Sequence, residues 1–348
     1  MRDPGRIYDA YHASLTQCLL TVSEYCPELP TNTPPLHRMR NLIQVLLSIG
    51  PAEGWPTVDS LTVGQAIAML STAQEMLSSL IEAGPEAETK AGTHTGTESS
   101  SLAGTSGRID EELRQALSET IADLHHRLGV TLRANQAHRV RGLYVIIDPV
   151  VTNGRDPLEV AKAAINGGAK MLQLRDKLRD KGEVLPLATE LQKLCLANDA
   201  DLIINDHADL ALAVGSAGLH VGQTDLPVSQ ARAVLSSRQV IGRSNHEMEE
   251  LTESQEMGAD HLAFGAIYAT GTKGVGRPPQ GTERLRQARG LTKLPIVAIG
   301  GITAENVAPV IQAGADAICV AAAIGLAHDP EAAAAGLVAA IRNAGGKV

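Results

Sequence analysis

Aromatic residues are scarce in this 348-residue chain. They make up 2% of it, with one Trp (Trp55) and one Phe (Phe264). The core must therefore come from Leu, Ile, Val and Ala, and a surface of stacked aromatics, as single-stranded nucleic-acid binders use, has almost no material. A basic surplus is also missing. Thirty Lys and Arg stand against 39 Asp and Glu, a net charge of −9, which argues against a nucleic-acid partner. Of the four cysteines (Cys18, Cys26, Cys195, Cys319) none forms a CxxC pair or stands at zinc-ligand spacing from a His. They read as free thiols of a reducing compartment, so a cytoplasmic location is expected. No uninterrupted apolar run follows Met1, so no signal peptide is predicted. The most apolar late stretch, 310–327, is broken by Gln312, Gly314 and Asp316, which predicts no membrane span.

What is present is an ordinary globular composition, 44% hydrophobic and 20% charged, which excludes a wholly disordered chain. The length suits one large or two unequal domains. Residues 85–107, rich in Gly, Ser, Thr and Glu and without apolar periodicity, read as a flexible linker. Before it, Leu36, Met39, Leu42, Ile43, Leu46 and Leu47 recur at helical spacing, as do Ile67, Leu70, Leu77, Leu80 and Ile81. Residues 1–84 are therefore predicted to be a small helical domain. After the linker, Ile109, Leu113, Leu117, Ile121, Leu124 and Leu128 form one stripe predicted to end at Gly129, within a helix and connector over 108–139.

From residue 140 the pattern changes. Short β-branched runs are predicted as strands at 143–147, 171–175, 202–205, 218–221, 240–243, 261–265, 296–299 and 317–321. Helical stretches follow each: 157–166, 184–198, 208–214, 228–235, 247–257, 282–289, 304–312 and 330–343. Strict alternation implies an α/β fold with a parallel sheet, and eight units imply a closed (β/α)₈ TIM barrel over 140–348. An open doubly wound sheet is the competing architecture, but the chain has no switch-point fingerprint. The repeated turns Gly168-Ala169-Lys170, Gly258-Ala259-Asp260 and Gly314-Ala315-Asp316 suit helix C-caps that lead into strands.

Barrel active sites lie at the C-terminal ends of the strands, and polar residues gather there. The second strand runs into Gln173-Leu174-Arg175-Asp176-Lys177. Alternation puts Gln173 and Arg175 on one face, with Leu172 and Leu174 toward the helices. An Arg and a Lys at this mouth suit a phosphate or diphosphate, although Arg179-Asp180-Lys181 follows and a solvated charge run would read the same way. The third strand ends in Asn205-Asp206 and the fourth leads to Gly222-Gln223-Thr224-Asp225. Asp206 and Asp225 are either helix caps or two hard ligands for Mg²⁺, and their company with Arg175 and Lys177 favours the metal. Ser244, near the end of the fifth strand, is placed to cap a helix or to donate to a substrate. After the sixth strand a long Gly/Pro loop carries Thr270, Gly271, Thr272 and Lys273, a donor cluster in a substrate-covering element. Gly300-Gly301 and Ala321-Ala322 follow strands seven and eight, where barrels commonly hold phosphate. Two anion sites result, one with Arg, Lys and Mg²⁺, the other of backbone and Thr.

At this point residues 142–348 resemble the thiamine phosphate synthase family. The resemblance rests on QLRDK (173–177), INDHADLAL (204–212), GLHVGQTDLP (218–227), GRSNH (242–246), TGTK (270–273) and VAIGGI (297–302). It implies a transferase that joins 4-amino-2-methyl-5-hydroxymethylpyrimidine diphosphate to 4-methyl-5-(2-phosphoethyl)thiazole, giving thiamine phosphate and diphosphate with Mg²⁺. By the same resemblance the string Gln173, Leu174, Arg175, Asp176 and Lys177, with Asn205, Ser244 and Lys273, implies pyrimidine diphosphate contacts. Arg175, Lys177 and Lys273 are then the catalytic cations, Asp206 and Asp225 the metal ligands. Thr270, Gly271, Thr272, Gly301, Ala321 and Ala322 imply thiazole phosphate contacts. The chain departs from the family at Ala321-Ala322, usually Val-Ser, and at Ala266 and Ala269, commonly Pro. Substitution at the pyrimidine methylene would be dissociative and would need no protein nucleophile, so His220 and His246 read as structural hydrogen-bonding residues. The pair His125-His126 reads as exposed. Asp148 reads equally as a cap or as a mouth residue. The rival readings are a tautomerase-like paralogue and a non-catalytic thiamine-precursor binder. Residues 1–139 carry no recognisable chemistry. Homo-oligomerisation, contact with another pathway enzyme or regulation are the roles open to them.

Overall fold

The structure, a computed structural model, describes residues 4–25, 34–49, 62–82, 111–270 and 278–348. The predicted linker at 85–107 lies outside these residues. So do Cys26, Ile109, Gly271, Thr272 and Lys273, and the side chains of Leu36, Leu46, Leu47, Leu80 and Ile81. The chain divides into two compact units, Met1–Leu132 and Arg133–Val348.

The first unit contains α1 (Pro4–Tyr25), α2 (Pro34–Ile49), α3 (Val63–Glu82) and most of α4 (Glu111–Ala137). Its core is aliphatic, as the composition requires: Leu15, Leu19, Val22, Met39, Ile43, Leu70, Leu77, Leu117, Ile121, Leu124 and Leu128 are buried together. Helix α3 starts on a reciprocal cap. Thr62 Oγ1 accepts from the Gln65 amide, and Gln65 Oε1 accepts from the Thr62 amide at 2.9 Å. The predicted stop at Gly129 is wrong. Helix α4 runs through it to Ala137, because an isolated helical Gly costs only about 1 kcal/mol and buried residues continue at Ala137 and Val140. His126 is exposed as expected, but His125 is half-buried, with Nε2 3.3 Å from Ser71 Oγ.

The second unit is a closed parallel barrel in sequence order: β1 (Gly142–Ile147), β2 (Met171–Leu174), β3 (Asp201–Asn205), β4 (Gly218–Val221), β5 (Val240–Asn245), β6 (His261–Gly265), β7 (Ile296–Ile299) and β8 (Ala317–Val320). Around it lie α5 (Pro157–Asn166), α6 (Lys181–Ala197), α7 (Ala208–Val214), α8 (Val228–Val234), α9 (Met248–Glu256), α10 (Gly281–Leu291), α11 (Val307–Gln312), the single turn α12 (Ala322–Gly325) and α13 (Pro330–Asn343). Alternation sorts the strand residues into two cores. Leu143, Val145, Leu172, Leu174, Leu219, Ile241, Phe264 and Ile318 face the helices. Tyr144, Ile146, Met171, Ile203, Val240, Ala263, Val297 and Cys319 fill the barrel. Helices α5 and α13 begin as Asp-Pro pairs, with Asp156 and Asp329 accepting from backbone amides of the first turn.

The Gly-Ala turns close the N-terminal end of the barrel. Gly258 and Gly314 take φ of +86° and +103°, which any residue with a Cβ resists. They deliver Asp260 and Asp316 to the bottom of neighbouring strands. Asp260 Oδ2 accepts from the Ile241 amide (2.8 Å) and from Arg232 (2.5 Å), while Oδ1 accepts from Arg133 (3.1 Å). Asp316 Oδ2 accepts from the Ile296 amide and from Arg289, both at 2.8 Å. Arg139 and Gln136 likewise donate to Asp201. Residues 133–140 therefore belong to the foundation of the barrel rather than to a loose connector.

Candidate active site

The opposite end of the barrel carries the chemistry. Parity along β2 sends Gln173 inward, where its Nε2 donates to the Tyr144 hydroxyl at 2.7 Å. Leu174 points the other way, into the helix-facing core, so its side chain is not at the mouth and only its backbone borders it. Beyond β2 every base of the charged run has a carboxylate partner. Arg175 pairs with Asp148 at 2.5 Å, Lys177 with Asp206, Arg179 with Asp176 at 2.6 Å and Lys181 with Asp209 at 2.5 Å. Asp148 does both things its position allowed. It caps the short turn Pro149–Val151 through Oδ1 and holds Arg175 through Oδ2.

Asp176 is buried and bound within its own loop. It accepts from the Leu178 and Arg179 amides and from Arg179 Nε. Burial works to raise its pKa, but these donors outweigh burial and hold it below the ordinary carboxylate value. Its role is to shape the loop that carries Lys177.

Asp206 follows β3 in the left-handed region, φ +62°, which Asp tolerates better than most residues with a Cβ. That turn lifts its carboxylate to the mouth, where it meets Lys177 and Asp225. Asp225 is fixed through Oδ2 by the Gly222 amide at 2.7 Å. A Cβ at position 222 would stand 2.9 Å from that oxygen, so a larger residue there would have to shift the Asp225 carboxylate. The two carboxyls titrate as a pair. Burial, reinforced by the charge of Asp225 and opposed by Lys177, pushes Asp206 up. Burial also acts to raise Asp225, but hydrogen bonds from Asp206 and the Gly222 amide, with the charges of Lys177 and His220, bring it below the usual value. Two close hard-oxygen donors with one already balanced by an ammonium are a fitting donor set for Mg²⁺, which takes one or two carboxylates and completes its shell with water and phosphate oxygens.

Ser244 lies within β5 rather than after it, because that strand extends to Asn245. It faces the barrel interior, and its hydroxyl is 2.9 Å from His220 Nε2. Gln223 ties this region together, donating to Ser244 O (2.7 Å) and accepting from Arg243 (2.8 Å). His246 braces the next strand, with Nδ1 2.7 Å from Gly265 O. Asn205 ends β3 half-buried.

On the other side of the mouth, Gly301 has φ +65° and sits so close to Ala269 O that a Cβ would approach within 2.5 Å. Asn306 accepts from the Thr303 amide and donates to Gly301 O, closing the β7 loop. Ala321 and Ala322 start the single turn α12 half-buried. Thr270 is exposed, while its neighbours Gly271, Thr272 and Lys273 lie outside the described residues.

Sequence reasoning passed over Tyr144. Its signal was parity, a polar group at an inward position on β1. His220, inward on β4, is a hydrogen-bonding residue as read from the sequence.

A closed parallel barrel whose strand ends bring together two carboxylates, two bases and a serine has the layout of a (β/α)₈ enzyme. Comparison with known proteins narrows the class. The thiamine monophosphate synthase family matches residues 143–324. The thiamine-phosphate synthase of Shouchella clausii is 43% identical over 202 residues, 58% of this chain and 97% of that protein. That of Moorella thermoacetica is 42% identical over 205 residues, 59% of this chain and 98% of its own. The solved thiamine phosphate pyrophosphorylase of Pyrococcus furiosus superposes with a TM-score of 0.55 at 31% identity, covering 60% of this chain and 98% of that one. The chain belongs to the thiamine monophosphate synthase family. It is a transferase of thiamine biosynthesis, and its first unit lies outside the matched region. No helix among the described residues is long and apolar enough to cross a membrane.

Proposed function

We propose that the barrel joins 4-amino-2-methyl-5-hydroxymethylpyrimidine diphosphate to 4-methyl-5-(2-phosphoethyl)thiazole, releasing thiamine phosphate and diphosphate, in the cytoplasm. The observation that carries this reading is the cluster of Lys177, Asp206 and Asp225 beside Arg175 and Ser244, on a barrel matched along nearly the whole length of its synthase relatives. Asp206 and Asp225 would hold Mg²⁺, which when bound neutralises charge on the departing diphosphate. Arg175, Lys177 and Lys273 supply fixed positive charge to the same oxygens. The methylene C–O bond breaks with its electron pair leaving on the diphosphate. The aminopyrimidine ring carries the resulting cation until the thiazole nitrogen forms the new C–N bond. That nitrogen becomes quaternary, so no proton is lost from it and no general base is needed.

Gln173, Asn205 and Ser244 orient the pyrimidine, and the backbone around Leu174 and Asp176 shapes the diphosphate loop. Thr270, Gly271, Thr272, Gly301, Ala321 and Ala322 hold the thiazole phosphate. At position 322 the contact is made by the backbone N–H, because Ala offers no hydroxyl. Residues 1–84 and the linker 85–107 carry no step of this chemistry and serve assembly or contact with a pathway enzyme. The test is a coupling assay with both substrates and Mg²⁺. Product from the wild type, lost in D206A/D225A and on chelation, supports the reading. A folded wild type that makes no thiamine phosphate overturns it in favour of a tautomerase or a precursor binder.

A further inference from the structure

A hydroxyl has one proton to donate and lone pairs to accept with, and a buried neighbour that takes one of these functions decides which is left for a ligand. Ser244 has such a neighbour. His220 points inward from β4, is 8% exposed, and brings Nε2 to 2.9 Å from Ser244 Oγ. The Ser244 backbone is also held, its carbonyl accepting from Gln223 at 2.7 Å.

The His220 ring is itself backed. His261, fully buried in β6, lies with its ring centroid 6.2 Å from that of His220 at a 32° tilt. It fits there because position 242 is Gly. A Cβ at 242 would stand 2.0 Å from His261 Nε2. Among the described residues neither ring nitrogen of His261 has a hydrogen-bond partner, so this imidazole acts by filling space beside His220. His220, Gly242 and His261 are cross-strand neighbours on β4, β5 and β6, and Ser244 lies two residues further along β5 toward the mouth.

We propose that His220 is a positioning residue, wedged by His261, that fixes the Ser244 hydroxyl toward the pyrimidine of the diphosphate substrate. This role rests on the coupling reaction proposed above. It separates His220 from His246, whose ring bonds the backbone carbonyl of Gly265.

A double-mutant cycle on the full-length protein tests it. One hydrogen bond of this kind corresponds to about a 2- to 12-fold effect. H220L and S244A should each raise KM for the pyrimidine diphosphate by about that factor and leave KM for the thiazole phosphate unchanged. H220L/S244A should match S244A alone, since coupled residues are non-additive. H220Q, whose amide reaches the position of Nε2, should recover most of the loss. H261A should weaken binding in the wild-type background and have no effect in S244A. The Mg²⁺ concentration for half-maximal rate should not move in H220L. Additive losses, equal effects on both substrates, or a changed Mg²⁺ requirement with no recovery in H220Q would overturn the role while leaving the coupling reaction standing. An inactive wild type would overturn the coupling reaction and this role together.

Discussion

In the metal site proposed above, Lys177 occupies the place of the cation, and replacing it should move two affinities in opposite directions. Its ammonium pairs with Asp206, and its side chain is 48% exposed. A cation entering between Asp206 and Asp225 must displace that ammonium. The displaced ammonium is then free for the diphosphate. In K177M the competitor is gone. An ion pair this exposed is worth about 0.2–1 kcal/mol, so divalent metal should bind about 1.4- to 5-fold more tightly. Diphosphate loses a charged donor worth about 1.5–3 kcal/mol, so it should bind about 10- to 150-fold more weakly in the presence of metal. Mn²⁺ titration followed by electron paramagnetic resonance reads the first affinity, and calorimetry with inorganic diphosphate at saturating Mg²⁺ reads the second. Metal affinity unchanged or weakened in K177M would refute the exchange, because Lys177 would then not compete for Asp206.

Asp206 gives a second prediction. Burial raises its folded-state pKa, so it favours folding below the ordinary carboxylate range and that contribution is lost as pH rises through the raised value. At neutral pH D206N should therefore abolish metal binding yet raise the melting temperature of the metal-free protein. Asn also accepts the positive φ at this position. A lower melting temperature by calorimetry would contradict this. His261 has its pKa lowered by burial from 6.5 to about 4, the opposite sign. The unfolded chain binds this proton first, so the contribution is complete above the ordinary pKa and fades as pH falls from 6.5 toward about 4. The wild type should lose about 3 kcal/mol more over that window than H261F, measured by urea unfolding, and parallel pH profiles would refute it. Finally, a chain begun at Val140 should be about 1.5–3 kcal/mol less stable than one begun at Arg133, since Asp260 keeps Arg232 as a partner. The 5%-exposed Arg133 and its pair with Asp260, with Gln136 and Arg139 on Asp201, are lost. Equal urea midpoints would show that residues 133–139 are dispensable.

The barrel was legible because β and α periods alternate without interruption and because each strand sorts its residues by parity. Leu172 and Leu174 against Gln173 show it plainly. Strand ends were less legible. β5 runs two residues past its predicted limit at Arg243, because Ser244 and Asn245 read as a loop while both are held by pairing with β6. Helix α4 was cut short because Gly129 was given a stop signal's weight, although the helix has tertiary contacts on both sides of it. Among the site residues, Asp206 and Asp225 could be ranked as ligand or cap only through their company. No local pattern distinguishes the two, and the proximity that joins them comes from the pairing of β3 with β4. Tyr144, and the pairing of Asp148 with Arg175, escaped for the same reason. Both relations, to Gln173 and to Arg175, are cross-strand ones between β1 and β2, which a linear reading does not contain.

The charged run at 175–181 was ambiguous because a solvated face and a diphosphate site have the same composition. Its pairing pattern separates them. A solvated face leaves its charges to water, whereas here Arg175 and Lys177 are matched to Asp148 and Asp206, carboxylates delivered by two other strands. Such matching makes sense for a protein of net charge −9 that must admit a polyanion. Long-range attraction is not available to it, and charge beyond about 8 Å is screened at physiological salt in any case. Discrimination must therefore operate at contact, by exchange of partners. In the proposed site a metal would take the carboxylates and the freed bases would take the diphosphate, so neither ligand would find its full complement of charge without the other. In the coupling reaction proposed here, that interdependence would keep the site from binding free diphosphate tightly once the metal has gone, and product release would follow from the same exchange that admitted the substrate.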